Sequence, residues 1–433
     1  MIEIFNIIYL IIGLTLIFAA PTLLVFNLNI DKPYDFFLIY LINLIIILNI
    51  FLIFSFFQLN LNYIFYFLSF IGFINIYYFF NFFKFKKNYF YSIFLLFVFI
   101  LSIKIAENPR LEWDAAVNWI FKTKNFYDGY DFSNLKNIPG IIAYPHLGSY
   151  GWALLWKNSL INYEYTGRIF YIFIYLISIF FIINNYNFQL LLKITIAFIT
   201  TAITFDHSLF SGYQEPLMFA LIIFFFSLIN KANSFNKLNI FHWICILNAN
   251  LILWVKNEGF IFLLAIFSLL LIERKTDKKI KLLFLFSFTL LILIKFSIFS
   301  IYFKENLIGW KGYEFLNLEK IISLENLKRL PLLFYQLIII FFKYPIYLIF
   351  LLLFIFTLAK KKNKYEHKKY ILFFLTNCLL SILIFFLTAD VNWNFHASVG
   401  MDRIMYSTSG IYLIFILDIL KNYFLKNVKK ALN

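Results

Sequence analysis

Apolar residues run through this chain in long unbroken blocks, and polar residues collect in the gaps between them. Thirteen blocks are legible, at roughly 4–27, 35–57, 61–83, 88–105, 167–184, 187–205, 215–230, 238–255, 258–273, 281–302, 331–358, 370–389 and 405–420. Most approach the ~20 residues that a helix needs to cross the hydrocarbon of a bilayer. None shows the period-two alternation of a barrel strand. The pattern predicts an all-α integral membrane protein of about 13 transmembrane helices. It also divides the chain into N-terminal helices over 1–105, a large loop over 106–166, and a helical bundle over 167–433. Shorter loops are expected at 206–215, 256–258, 303–330 and 390–404. No internal repeat or separate soluble domain is visible.

The loop over 106–166 is the longest polar interval. It carries Glu107, Glu112, Asp114, Asp128 and Asp131, with Pro139, Gly140, Pro145 and His146. Within it, DAAVNWIFKTK reads as a short helix. Trp113, Val117, Ile120, Phe121 and Lys124 recur at helical spacing, so this helix could lie along the membrane interface with that face down. Asp114 opens it, where a carboxylate is favoured by the helix dipole, either as a simple N-cap or as a functional group.

Composition fits this picture. The chain has 433 residues, 63% of them hydrophobic and only 14% charged. A soluble protein would not carry so much apolar surface. The net charge of +16 could suggest nucleic acid, but the lysines cluster between the apolar blocks. They occupy five turns: Lys84/Lys86/Lys87, Lys231/Lys237, Arg274 to Lys279, Lys360 to Lys369, and Lys421 to Lys430. Counting spans puts all five on one side, which the positive-inside rule makes cytoplasmic. The large loop and every acidic or His-bearing motif then fall on the extracytoplasmic side of a plasma (inner) membrane. No nucleic-acid partner is expected. Cys245 and Cys378 both lie in apolar blocks, which indicates neither a disulfide framework nor a cysteine metal site.

Four further motifs carry chemistry. YPHLGSYGW, with Tyr144 and His146, closes the large loop as a shaped turn. FDHSLFSGYQEP brings Tyr213 and Glu215 to a helix start, with Pro216 tolerated in the first turn. Glu215 reads there as a cap or as a site group. WVKNEGF sets Lys256 and Glu258 between two apolar blocks, where charges must pair or face a wet cavity. They could simply close a tight hairpin. NWNFHASVGMDR offers His396, Asp402 and Arg403 before the last block. An arginine there runs against the positive-inside bias, and an anionic ligand such as phosphate is a reason to keep it. Glu107, Asp114, Asp206, His207, Glu215 and His396 could converge on a divalent cation. No pair has diagnostic ligand spacing, so no metal or other cofactor is expected.

The order of these motifs resembles the GT-C-type membrane glycosyltransferases, the broad group that includes protein O-mannosyltransferases and lipid A aminoarabinose transferases. Similarity is carried by WDAAVNWIFKTK, YPHL, GYQEP, KNEG and ASVGMDR. It implies a GT-C-like fold, with short interfacial helices in the large outer loop and a polyprenyl-phosphate sugar donor. By position, Asp114 matches the general base, and Lys256 and Arg403 match the lipid-phosphate pocket, with His396 beside them. Glu112, Tyr144, His146, Tyr213, Glu215 and Glu258 match substrate-binding positions. Glu215 stands where Asp is more usual, and His146 replaces the second proline of a YPP-like element. Four spans precede the loop where family members usually have one. The expected activity is inverting transfer of a sugar to a hydroxyl of a glycan, lipid or protein acceptor. A lipid-linked sugar flippase or transporter, and a polysaccharide ligase or polymerase, are the alternatives.

Overall fold

The computed structural model describes residues 2–22, 36–82, 89–139, 144–232, 238–272, 277–303, 327–359, 364–386 and 393–432. It is 86% helical and carries no strand among the described residues. Hydrocarbon offers no hydrogen-bond partner to a bare backbone, so apolar blocks of this length satisfy their amides internally as helices. The N-terminal group comprises α1 (Ile2–Ala19), α2 (Phe36–Phe54), α3 (Leu61–Phe82) and α4 (Tyr89–Glu107). The large loop contains α5 (Ile120–Tyr127), a 3-10 turn (Phe132–Asn137) and α6 (Leu147–Lys157). There follow α7 (Ile169–Asn184), α8 (Leu190–Thr204), α9 (Glu215–Ala232), α10 (Ile240–Val255), α11 (Glu258–Ile272) and α12 (Lys278–Phe303). The C-terminal part holds α13 (Leu330–Lys343), α14 (Pro345–Ala359), α15 (Lys364–Phe386) and the 40-residue α16 (Trp393–Leu432).

Among the described residues, eight helices are long and apolar enough to cross a membrane, and four more are shorter apolar helices. The chain is therefore a helical membrane-spanning protein. The eleventh block, over 331–358, is a pair. α13 and α14 meet at 92° around Tyr344 and Pro345, a broken span or a re-entrant loop. Pro345 opens the second member, where its missing N–H costs nothing. Counting the pair as one crossing gives nine candidate spans among the described residues.

α7 is buried along its whole length and α9 along most of it, so these two form the centre. α7, α10 and α16 pack on α9, while α13, α14 and α15 pack on α16. The N-terminal group docks through α2 on α10 and α7, and through α4 on α7. α12 is largely unburied and carries exposed Leu282, Phe286, Leu293 and Ile301, as a lipid-facing helix would.

Two sequence expectations change here. The segment 393–403 is not loop but the first turns of α16. The short helix of the large loop does not use the anticipated face. Its buried side is Ala115, Asn118, Trp119, Lys122, Thr123 and Phe126, packed on α6, while Trp113 and Lys124 are exposed. Specific polar contacts outweigh the apolar spacing: Lys122 donates to the Tyr144 carbonyl, and Thr123 Oγ1 donates to the Trp119 carbonyl at 2.9 Å. Residues 304–326, most of the predicted loop over 303–330, lie outside the described residues. So do Gly140, residues 387–392, and the basic positions Lys84, Lys86, Lys87, Lys237, Arg274, Lys275 and Lys360 to Lys362.

Candidate functional site

Four segments far apart in the chain meet at one end of α9 and α10. The first is the turn entering α5. Ala115–Trp119 forms a π-helical turn, a rare geometry that recurs at functional sites. Asp114 precedes it in helical conformation, yet its side chain makes no capping bond. The carboxylate instead pairs with the Arg403 guanidinium from α16. The N-cap reading of Asp114 therefore gives way to a tertiary role.

The second segment is the turn before α9. Gly212 adopts φ +100°, a left-handed conformation that side chains resist. A Cβ there would sit 2.7 Å from Ala115 Cβ and 2.8 Å from Trp152. Glycine thus lets the GYQE turn press against the Asp114 turn, an approach also fixed by the Glu112 amide donating to the Ser211 carbonyl at 3.2 Å. Tyr213 emerges next, its ring 5.0 Å beneath the Arg403 guanidinium. Burial, offset in part by Arg403, pushes its phenol up to about 12.

Glu215 opens α9 and is 1% exposed. A carboxylate so deep must be paired. Lys256 Nζ donates to Glu215 Oε1 at 2.9 Å, and Arg403 Nε lies 3.4 Å from the same oxygen. Lys256 caps the C-terminal end of α10, and it also lies 3.3 Å from Glu258 Oε1 at the start of α11. Burial acts to lower the Lys256 ammonium, but Glu215 and Glu258 overcome it and hold it above the ordinary lysine range. The hairpin-closing pair is thus real, and Lys256 also reaches out of its hairpin to Glu215. Two cations are shared among three carboxylates, with Glu215 as the hub.

Of the residues singled out in the sequence, Asp114, Tyr213, Glu215, Lys256, Glu258 and Arg403 come together. Glu112 lies at the rim with an exposed side chain. His396 sits on α16 two turns before Arg403, its ring against Phe395. Tyr144 is half-buried, with its ring stacked on Trp119 at 5.4 Å. His146 is elsewhere. Its Nε2 is 2.6 Å from Ser55 Oγ, inside a nest formed by Phe56, Phe126, Phe132 and Trp254. Burial, with help from Lys122 and Lys295, holds this imidazole well below its usual value, so it is neutral. Both residues help to tie the large loop together, Tyr144 through Trp119 and Lys122 and His146 through Ser55.

A second polar cluster adjoins the first, because Asp402 precedes Arg403. Lys343, at the α13–α14 break, donates to Asp402 Oδ2 at 2.7 Å and lies 3.3 Å from Asp206 Oδ2. Sequence reading passed over Lys343 because the apolar block ran through it. Pro345 was the available signal. No group of three or more His, Cys, Asp or Glu side chains gathers to hold a metal among the described residues. No protein-family model, curated protein or solved structure matches this chain.

Proposed function

We propose that this protein is a GT-C-like membrane glycosyltransferase acting on a polyprenyl-phosphate sugar. The observation that carries the reading is the contact between Asp114 of the large loop and Arg403 of the last helix, with Lys256 joined to both through Glu215. A carboxylate base and two cations within one small volume is what transfer from a phosphate carrier requires. Asp114 accepts the proton of an acceptor hydroxyl as its oxygen bonds to the anomeric carbon. The bond from that carbon to the phosphate oxygen breaks, and the lipid phosphate leaves with the electron pair. The leaving group is already anionic, so it calls for cations rather than an acid. A guanidinium has five donors; Arg403 spends one terminal nitrogen on Asp114 and turns Nε to Glu215, and its second terminal nitrogen is the donor for phosphate. Attack opposite the leaving group inverts the anomeric centre.

The proposed orientation has thirteen spans and places this site on the extracytoplasmic face of the plasma membrane. In support, Glu215 and Lys231 occupy opposite ends of α9. Lys278 and Lys279 begin α12 at the end remote from Lys295, whose ammonium meets the Lys256 end of α10. The test is transfer of sugar from a defined lipid-phosphate donor by the purified full chain. Asp114→Asn should abolish product without unfolding the protein, and near-normal turnover of that variant would remove Asp114 as the base.

One observation favours a transporter as the second reading. A helix broken at 92° with Lys343, Asp206 and Asp402 at the break is the kind of discontinuity that transporters place at their sites. Proteoliposomes separate the two. A transferase yields a new glycoside and free lipid phosphate, whereas a transporter moves the intact donor between leaflets.

A further inference from the structure

Lys295 lies deep in α12 and is 2% exposed. An ionisable group inside a membrane helix is costly and asks for a reason. Lys295 makes no ion pair among the described residues. Its Nζ donates instead to the Leu253 carbonyl at 2.8 Å and to Asn257 Oδ1 at 3.3 Å, with the Phe299 ring 5.7 Å away. Leu253 belongs to the last turn of α10, whose final carbonyls have no partner inside the helix and form its negative end. Asn257 is the residue between Lys256 and Glu258. The amine of α12 therefore grips both sides of the turn that presents these two charges to Glu215.

We infer that Lys295 is a positioning residue, which clamps the α10–α11 turn so that Lys256 stays on Glu215. It touches neither proposed substrate nor the reacting atoms, and it acts through the turn. An alkyl side chain in its place would leave the end carbonyls of α10 without their buried donor. Lys256 would then be free to swing with the turn. A merely structural lysine would weaken the fold without changing what the Glu215–Lys256 pair contributes.

A thermal double-mutant cycle on the full chain in detergent separates these cases. Lys295→Met and Glu215→Gln should each lower the melting temperature, and the double variant should melt close to the lower of the two. Lys295→Met combined with Asp418→Asn, which alters the Tyr186 contact far along α16, should show additive losses. Additivity with Glu215→Gln as well would overturn the inference. If Lys295→Met does not fold, Asn257→Ala removes the milder half of the same clamp, and its cycle with Glu215→Gln is read the same way. A kinetic arm rests on the transferase reading. Lys295→Met should raise KM for the lipid-phosphate donor about tenfold while leaving kcat nearly unchanged. Should the wild-type chain transfer no sugar at all, the transferase reading fails, and the thermal cycle still decides the role of Lys295.

Discussion

Arg403 concentrates the site into one side chain. Its guanidinium holds Asp114, approaches Glu215 and lies over the Tyr213 ring. A lysine ammonium is a point charge with no planar fork, and it cannot serve three partners in fixed directions. Arg403→Lys should therefore leave a folded protein with kcat/KM reduced about a hundredfold, the scale of a small misplacement of a reacting group. Steady-state transfer kinetics on protein that elutes normally by size exclusion check this. Glu215→Gln is a different kind of loss, since it leaves Lys256 and Arg403 buried with one carboxylate fewer. Breaking such a pair costs about 3–5 kcal/mol, and the melting temperature should fall accordingly. At Gly212 the constraint is backbone. Gly212→Ala forces a Cβ into the left-handed region and against Ala115 and Trp152. It should cost about 1–3 kcal/mol, and the activity should fall with it because the same turn seats Tyr213 and Glu215.

At the scale of elements, the sequence reading and the structure part where polar residues decide the outcome. Each of the thirteen apolar blocks holds a helix, because hydrophobic length alone dictates that choice. The break at Lys343 to Pro345 was hidden in one block since the residues around it are apolar and only Pro345 signals it. Residues 393–403 read as loop for their polar content, yet they are helical because Asp402 and Arg403 find ionic partners on other elements. Such partners are distant in sequence and leave no local trace. The same holds for His146, whose contacts clasp the end of α2, the 3-10 turn and α10 together. That clasp has a pH signature. The folded imidazole is held well below the ordinary value of 6.5 by burial and by Lys122 and Lys295. Between the two values the unfolded chain binds the extra proton, so stability is full above about pH 6.5 and is lost as pH falls towards the folded value. His207, also lowered by burial and by Arg168 and Lys104, contributes in the same direction. Melting temperature should decline from pH 7 to pH 5, and His146→Gln should flatten part of that decline. An unchanged slope in the variant would mean that the nest does not depend on a neutral imidazole.

For the whole molecule, the parity of crossings decides which side each charged segment faces, and the bent pair decides the parity. Cys245 and Cys378 are both buried, so background labelling by a membrane-impermeant maleimide should be low. Tyr130 in the large loop is 51% exposed, and Lys279 and Lys421 are exposed as well. Three single-cysteine reporters, Tyr130→Cys, Lys279→Cys and Lys421→Cys, then read the topology in cells. In the thirteen-span orientation five crossings separate Tyr130 from Lys279, and nine separate it from Lys421. Tyr130→Cys should label in intact cells, and the two lysine positions only after permeabilisation. If α13 and α14 instead enter and leave on one side, the crossing count to Lys421 drops to eight and Lys421→Cys labels from outside, while Lys279→Cys stays protected. That result would turn the last helix over relative to α9 and α10. It could not then bring Arg403 to the same membrane face as Glu215 unless the chain crossed once more within residues outside those described. Labelling of Tyr130→Cys only after permeabilisation would put the acidic loop in the cytoplasm, and the extracytoplasmic donor chemistry would go with it.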